Sequence, residues 1–190
     1  MVFEKVVAPV LLTPEEHDFI QNGVFGLYFP WFVNYQEVTV VSDIDPKIVN
    51  KIANPPFFGH RLMQRSATPG ISGEVSSKHY AGFENIFLRW CKDNNYPVST
   101  ILRAALNVSV YNDAEFSLPH HDHNFPCNNW IMYLNSVKDA PTLLFDDEYN
   151  IIDSIEAEKY QAVAFPNCMH AHKFAPVDKL RYVVVFTFES

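Results

Sequence analysis

The chain has 190 residues, a length that suits one folded domain around a single core. Hydrophobic residues make up 48% and charged residues 19%, which excludes an intrinsically disordered chain. A formal net charge of −8 excludes nucleic-acid binding through a basic surface. No run approaches the ~20 uninterrupted apolar residues that a membrane-spanning helix needs, so no membrane partner is expected. Residues 1–12 include the acidic Glu4 and do not read as a signal peptide. Cys91, Cys127 and Cys168 are scattered and form no CxxC pair, which argues against a thiolate zinc site or a disulfide framework. A reducing compartment follows, and a cytoplasmic location is the expectation.

In chain order, Thr13-Pro14-Glu15-Glu16 supplies a cap, a first-turn proline and acidic residues, predicting a helix over residues 13–22. Asp45-Pro46 predicts a second short helix through residue 53, closed by Pro55-Pro56. Residues 60–77 read as a loop, with two glycines, a proline and several Ser and Thr. A solvent-exposed polar loop is the more common meaning of such a stretch; closing over a site to select its substrate through Arg61, Gln64 and Arg65 is the other. Residues 77–92 predict a third helix, with Tyr80, Phe83, Ile86, Phe87 and Trp90 as a core-facing stripe.

After residue 100 the period changes from helix to strand. In residues 101–111 the even positions Leu102, Ala104, Leu106, Val108 and Val110 are apolar, and the odd positions Arg103, Asn107, Ser109 and Tyr111 are polar. Such a strand can pack its apolar side under helices and line a pocket with its polar side. Further strands are expected at 129–134, 142–145, 150–155, 161–165, 169–174 and 180–188. The 16 Phe and 9 Tyr suit strand surfaces. The expected architecture is mostly β with flanking helices: a jelly-roll, cupin-like barrel formed by residues 101–190 and buttressed by helical support and lid segments in residues 1–100.

The densest polar feature is Pro119-His120-His121-Asp122-His123. In an extended segment residues i and i+2 share a face, so His120 and Asp122 point together, and His121 and His123 point the other way. An imidazole and a carboxylate on one face supply two ligands of a 2-His-1-carboxylate iron site. Residues 170–172 read His-Ala-His and offer either His170 or His172 as the third ligand. Arg181 shares a strand face with Val183, Val185 and Thr187. A buried guanidinium needs an anion, and its planar fork matches a carboxylate.

With these residues the sequence resembles the Fe(II)/2-oxoglutarate-dependent dioxygenases, in particular their prolyl-hydroxylase-like branch. That branch places Pro four and Arg nine residues after the distal histidine, as Pro176 and Arg181 follow His172. The resemblance covers about residues 101–188 and implies a double-stranded β-helix with His120, Asp122 and His172 as catalytic iron ligands. It also implies Fe(II), 2-oxoglutarate and O2 as cofactors and co-substrate, with ascorbate supportive. Arg181 would pair with the far carboxylate of 2-oxoglutarate, Tyr133 would donate to it, Leu143 would pack on its methylenes, and Tyr111 would be another pocket tyrosine. Asn124 or Asn135 would orient ligands from behind. Where the branch usually has a Gly-Gly pair, this chain has Ala140-Pro141. The implied chemistry couples decarboxylation of 2-oxoglutarate to succinate with oxidation of a peptidyl, amino-acid or small-molecule substrate. Two other readings remain: a cupin-type metal isomerase or oxygenase that does not use 2-oxoglutarate, and a non-catalytic barrel-fold binding module. Oligomeric state is not encoded in any motif.

Overall fold

Thr13 starts the first helix through a reciprocal pair of hydrogen bonds. Its Oγ1 accepts from the Glu16 N–H at 3.3 Å, while the Glu16 carboxylate accepts from the Thr13 N–H at 2.8 Å. The computed structural model describes residues 5–35 and 45–190; Glu4 lies outside the described residues. Strand β1 (Val6–Pro9) precedes helix α1 (Pro14–Asp18), which passes into a π-helical segment, Phe19–Val24, and then β2 (Phe32–Asn34). The helix expected at 45–53 does not form. Turns occupy 46–51, and β3 (Ile52–Ala53) ends the segment by pairing with residues 116 and 117. A helix that short is marginal by itself, so a partner strand decides the outcome.

Strand β4 (Phe57–Met63) replaces the start of the loop expected at 60–77, and the irregular stretch begins only at residue 64. Helix α2 (Tyr80–Asp93) follows as expected and buries Tyr80, Phe83, Ile86, Phe87 and Trp90. The expected β region contains β5 (Thr100–Ser109), β6 (Phe116–Ser117), β7 (Asn128–Tyr133) and β8 (Val137–Phe145). It continues through β9 (Ile151–Ala157), β10 (Gln161–Pro166), β11 (His170–His172) and β12 (Arg181–Glu189).

Seven strands form one sheet in the order β1-β10-β7-β12-β5-β4-β2, and a second sheet runs β11-β8-β9. Pairing is antiparallel throughout both, while the small β3-β6 pair is parallel. Alternation along the central strands sorts side chains between two cores. On one face Leu106, Trp130, Val184 and Phe186 join Phe83 and Phe87 of α2. On the other, Ile131, Tyr133, Val183 and Val185 meet Leu144 and Ile155 of the smaller sheet. The result is a mostly β, antiparallel arrangement with helices on one side, consistent with a jelly roll. No helix among the described residues is long and apolar enough to cross a membrane.

Candidate metal centre

The polar side of β5 does line a cavity. Arg103, Asn107 and Ser109 contribute to its wall together with Arg181, Val183 and Val185 of β12 and Thr142 of β8. At one end His120, Asp122 and His170 converge, with one potential ligand atom from each lying within 4.8 Å of the others. The backbone creates this meeting. His120 and His170 are directly paired across an antiparallel bridge, with reciprocal N–H to carbonyl bonds of 3.0 and 2.9 Å. His170 Nε2 lies 3.5 Å from Asp122 Oδ2.

The donor set fits a divalent metal such as Fe(II). His120 Nδ1 is 3.1 Å from the Leu118 carbonyl, and His170 Nδ1 is 3.0 Å from the Cys168 carbonyl. A carbonyl can only accept, so each Nδ1 donates there and each Nε2 is left for the cluster. Burial works to raise the Asp122 pKa, but Arg103, the two imidazoles and Arg65 outweigh it and hold the carboxyl well below the usual carboxylate range. Asp122 is therefore an anion at neutral pH. Its Oδ1 accepts from Arg103 Nη1 at 2.5 Å and from Arg65 Nη2 at 3.2 Å, leaving Oδ2 facing the histidines.

The histidine expected as third ligand is displaced from this group. His172 also lines the cavity, on the same face of β11, but it lies beside Thr142, and its backbone N–H donates to Ser117 Oγ at 3.1 Å. The two-residue step from His170 to His172 corresponds to roughly 6–7 Å along a strand. Cross-strand register, which motif spacing does not determine, puts His170 opposite His120.

Arg181 is 3% exposed and forms the opposite end of the cavity. It donates from Nε to the Ala140 carbonyl at 3.2 Å and from Nη2 to Thr142 Oγ1 at 2.7 Å. Ala140 follows Asp139, which adopts φ 64°, and the β8–β9 register shifts between Val137 and Thr142. The sequence Ala140-Pro141 therefore still permits an irregular strand here, which turns the Ala140 carbonyl onto the guanidinium. Thr142 in turn bonds the Tyr133 hydroxyl at 2.7 Å, and that hydroxyl donates to the Ile155 carbonyl at 3.3 Å. Burial pushes the Tyr133 phenol up and Arg181 opposes it, so Tyr133 supports Thr142 from behind the wall with its ring 5.3 Å from the guanidinium carbon.

Other expected site residues lie elsewhere. Tyr111 is 42% exposed, bonds Asp113 and takes no part in the cavity wall. Leu143 points to the far side of β8, packing with Phe116 and Phe145, because strand alternation gives the cavity to Thr142. Asn135 bonds the Leu180 carbonyl and the Tyr182 N–H, Asn124 is exposed, and His123 bonds Thr187 Oγ1 at 2.8 Å. Thr142 was legible only as the neighbour of Leu143. The roles of Arg65 and Arg103 at Asp122 had no sequence signal beyond their polar positions.

No protein-family model and no curated protein matches the sequence. The fold, by contrast, is that of 2-oxoglutarate/Fe(II) oxygenases. One such oxidoreductase, from Burkholderia pseudomallei, superimposes with a TM-score of 0.66 at 12% identity, covering 97% of this chain and 84% of its own. A Pseudomonas putida prolyl-4-hydroxylase gives 0.53 at 13% identity over 100% and 94% of the two chains. A Trichoplax adhaerens prolyl hydroxylase, solved with a peptide fragment of a hypoxia-inducible factor oxygen degradation domain, gives 0.55 at 13% over 97% and 83%. The resemblance read from the sequence, prolyl-hydroxylase-like branch included, is matched at the level of fold.

Proposed function

We propose that this protein is a non-haem Fe(II)- and 2-oxoglutarate-dependent dioxygenase whose iron is held by His120, Asp122 and His170. The observation that carries this reading is one cavity with an ionised 2-His-1-carboxylate set at one end and the buried Arg181 at the other. The same reading takes the sheets as a double-stranded β-helix. Iron, 2-oxoglutarate and O2 would supply the oxidising chemistry, releasing succinate and CO2.

The protein's part is binding, orientation and exclusion of water. The Nε2 atoms of His120 and His170, with Asp122 Oδ2, face the metal position, and the two arginines on Oδ1 hold that carboxylate in place. Arg181, braced by Ala140, Thr142 and Tyr133, binds the far carboxylate of 2-oxoglutarate. His172 is opposite Thr142, between the metal ligands and Arg181, and contacts the bound co-substrate rather than the metal. Ile131, Val183 and Val185 provide dry walls. The substrate is a peptidyl or amino-acid side chain or a small molecule, oxidised at a C–H bond.

The test is succinate formation by purified protein given Fe(II), ascorbate and 2-oxoglutarate under air. Turnover that vanishes in His120→Ala is the expected result. Absence of succinate, together with no 2-oxoglutarate binding to metal-loaded protein, would overturn the reading in favour of a metal enzyme of the cupin type.

A further inference from the structure

Beyond the metal cavity the same wall also lines a second, outer groove enclosing about 470 Å³, within the range of small-molecule sites. Phe57, Arg65, Arg103 and Asn107 line both, so the two spaces are neighbours that share a wall. The groove lies over β2, β4 and β5. Its floor is shallow where Gly59 and Ala105 face it; a Cβ at Gly59 would come within 2.7 Å of Asn34 Nδ2 and 3.3 Å of the Phe57 ring. Phe32, 59% exposed, and Phe57 form an apolar portion.

Charge is concentrated on the rest of the groove. Arg61, Arg65 and Arg103 all line it, and no Asp or Glu does so among the described residues. Asp122 Oδ1, at the boundary with the metal cavity, is the single side-chain acceptor that two of them share. Three guanidiniums against that one carboxylate leave an excess of two positive charges, in a chain whose formal charge is −8. A guanidinium has five N–H donors in a fixed fork. Arg65 and Arg103 each direct one terminal nitrogen to Asp122, which leaves donors for a ligand. Arg61 is exposed, and its side chain makes no hydrogen bond or ion pair among the described residues.

We infer that this outer groove is the substrate site of the proposed oxygenase and selects a small molecule with a carboxylate or phosphate held by Arg61, Arg65 and Arg103 and an apolar arm against Phe32 and Phe57. The assignment rests on the oxygenase reading for the word substrate; the anion site itself stands on the groove. An anion held here leaves the shared wall at Phe57 and Asn107 as the side on which the rest of the molecule meets the metal cavity. It is separate from Arg181, which serves the co-substrate at the inner end.

The experiment uses three probes: phenylacetate, phenyl phosphate and the neutral phenylacetamide. Binding is followed by saturation-transfer NMR to the full chain, metal-free and again with Zn(II) and saturating 2-oxoglutarate. At least one acid should bind about tenfold or more tighter than the amide, the tighter acid identifying carboxylate or phosphate as the preferred anion. Arg61→Gln, at an exposed position away from the metal ligands, should weaken that acid by about tenfold and leave the amide unchanged, and Arg61→Lys should restore part of the loss. Equal binding of acids and amide, or acid binding indifferent to Arg61→Gln, would overturn the inference. Arg61-dependent binding in metal-free protein with no succinate in the turnover assay would retain the anion groove and remove the oxygenase. Succinate formation with Arg61-indifferent binding would do the reverse.

Discussion

The two faces of the seven-stranded sheet are made from the same strands yet perform opposite tasks. Toward α2, Phe87 stacks on Phe186 with ring centroids 4.6 Å apart and meets Trp130 edge-on, and all three side chains are fully buried. Toward the smaller sheet the same strands present Arg103, Asn107 and Arg181 to a cavity. One face lowers the free energy of the fold by removing apolar area from water. The other holds polar groups apart at fixed positions, which costs stability and is tolerated because the first face is so well packed. Period-two alternation lets one strand serve both without compromise.

Substitutions should separate the two roles. The largest effect is expected at the metal ligands. His170→Ala should lower metal affinity by more than the roughly 10–100-fold typical of supporting residues, whereas His172→Ala should stay within that range. A metal titration that reversed the order would move the ligand assignment back to His172. Next, Phe87→Ala on the helix-covered face should destabilise the protein by about 3–5 kcal/mol in urea denaturation, with succinate formed per folded molecule unchanged. A loss below about 1 kcal/mol would show that this face is not where stability resides.

Arg181→Ala should act in the opposite way, sparing the fold more than it spares binding. The 2-oxoglutarate requirement should rise by an amount corresponding to about 1.5–3 kcal/mol, read from the apparent affinity in a titration. An unchanged affinity would take Arg181 out of its role. The smallest effect belongs to the surface. Arg89 bonds the Glu16 carboxylate and holds its pKa below the usual value. A carboxylate depressed in the folded state stabilises it fully above the unfolded pKa, and that contribution is lost as pH falls through the folded pKa. Glu16→Ala should therefore cost up to about 1 kcal/mol at pH 7, including the lost cap, and progressively less as the solution is acidified through the carboxylate range. A cost that grew on acidification would break this account.

Local patterns were legible where they depended on neighbours in sequence. The capping residues Thr13 and Glu16, the apolar stripe of α2 and the alternation of β5 are such patterns, and the structure contains each. The helix expected at 45–53 and the loop expected from residue 60 failed for one reason. Ile52 and His60 take extended structure by pairing with Phe116 and Leu106, partners more than 40 residues away. Phe19–Val24 continues α1 as a π-helix rather than an α-helix, a distinction that the apolar period does not carry.

The sequence by itself determined that His120 and Asp122 share a face, that β5 has one apolar and one polar side, and that Arg181 shares a strand face with Val183 and Val185. Each follows from the two-residue period of a strand, which acts within one segment. Tertiary structure alone decided that His170 completes the cluster and that Thr142, not Leu143, meets Arg181. It also decided that Arg65 and Arg103 converge on Asp122. Those outcomes depend on the register between strands distant in sequence, and a slip of two residues would keep every face pattern while exchanging His170 for His172.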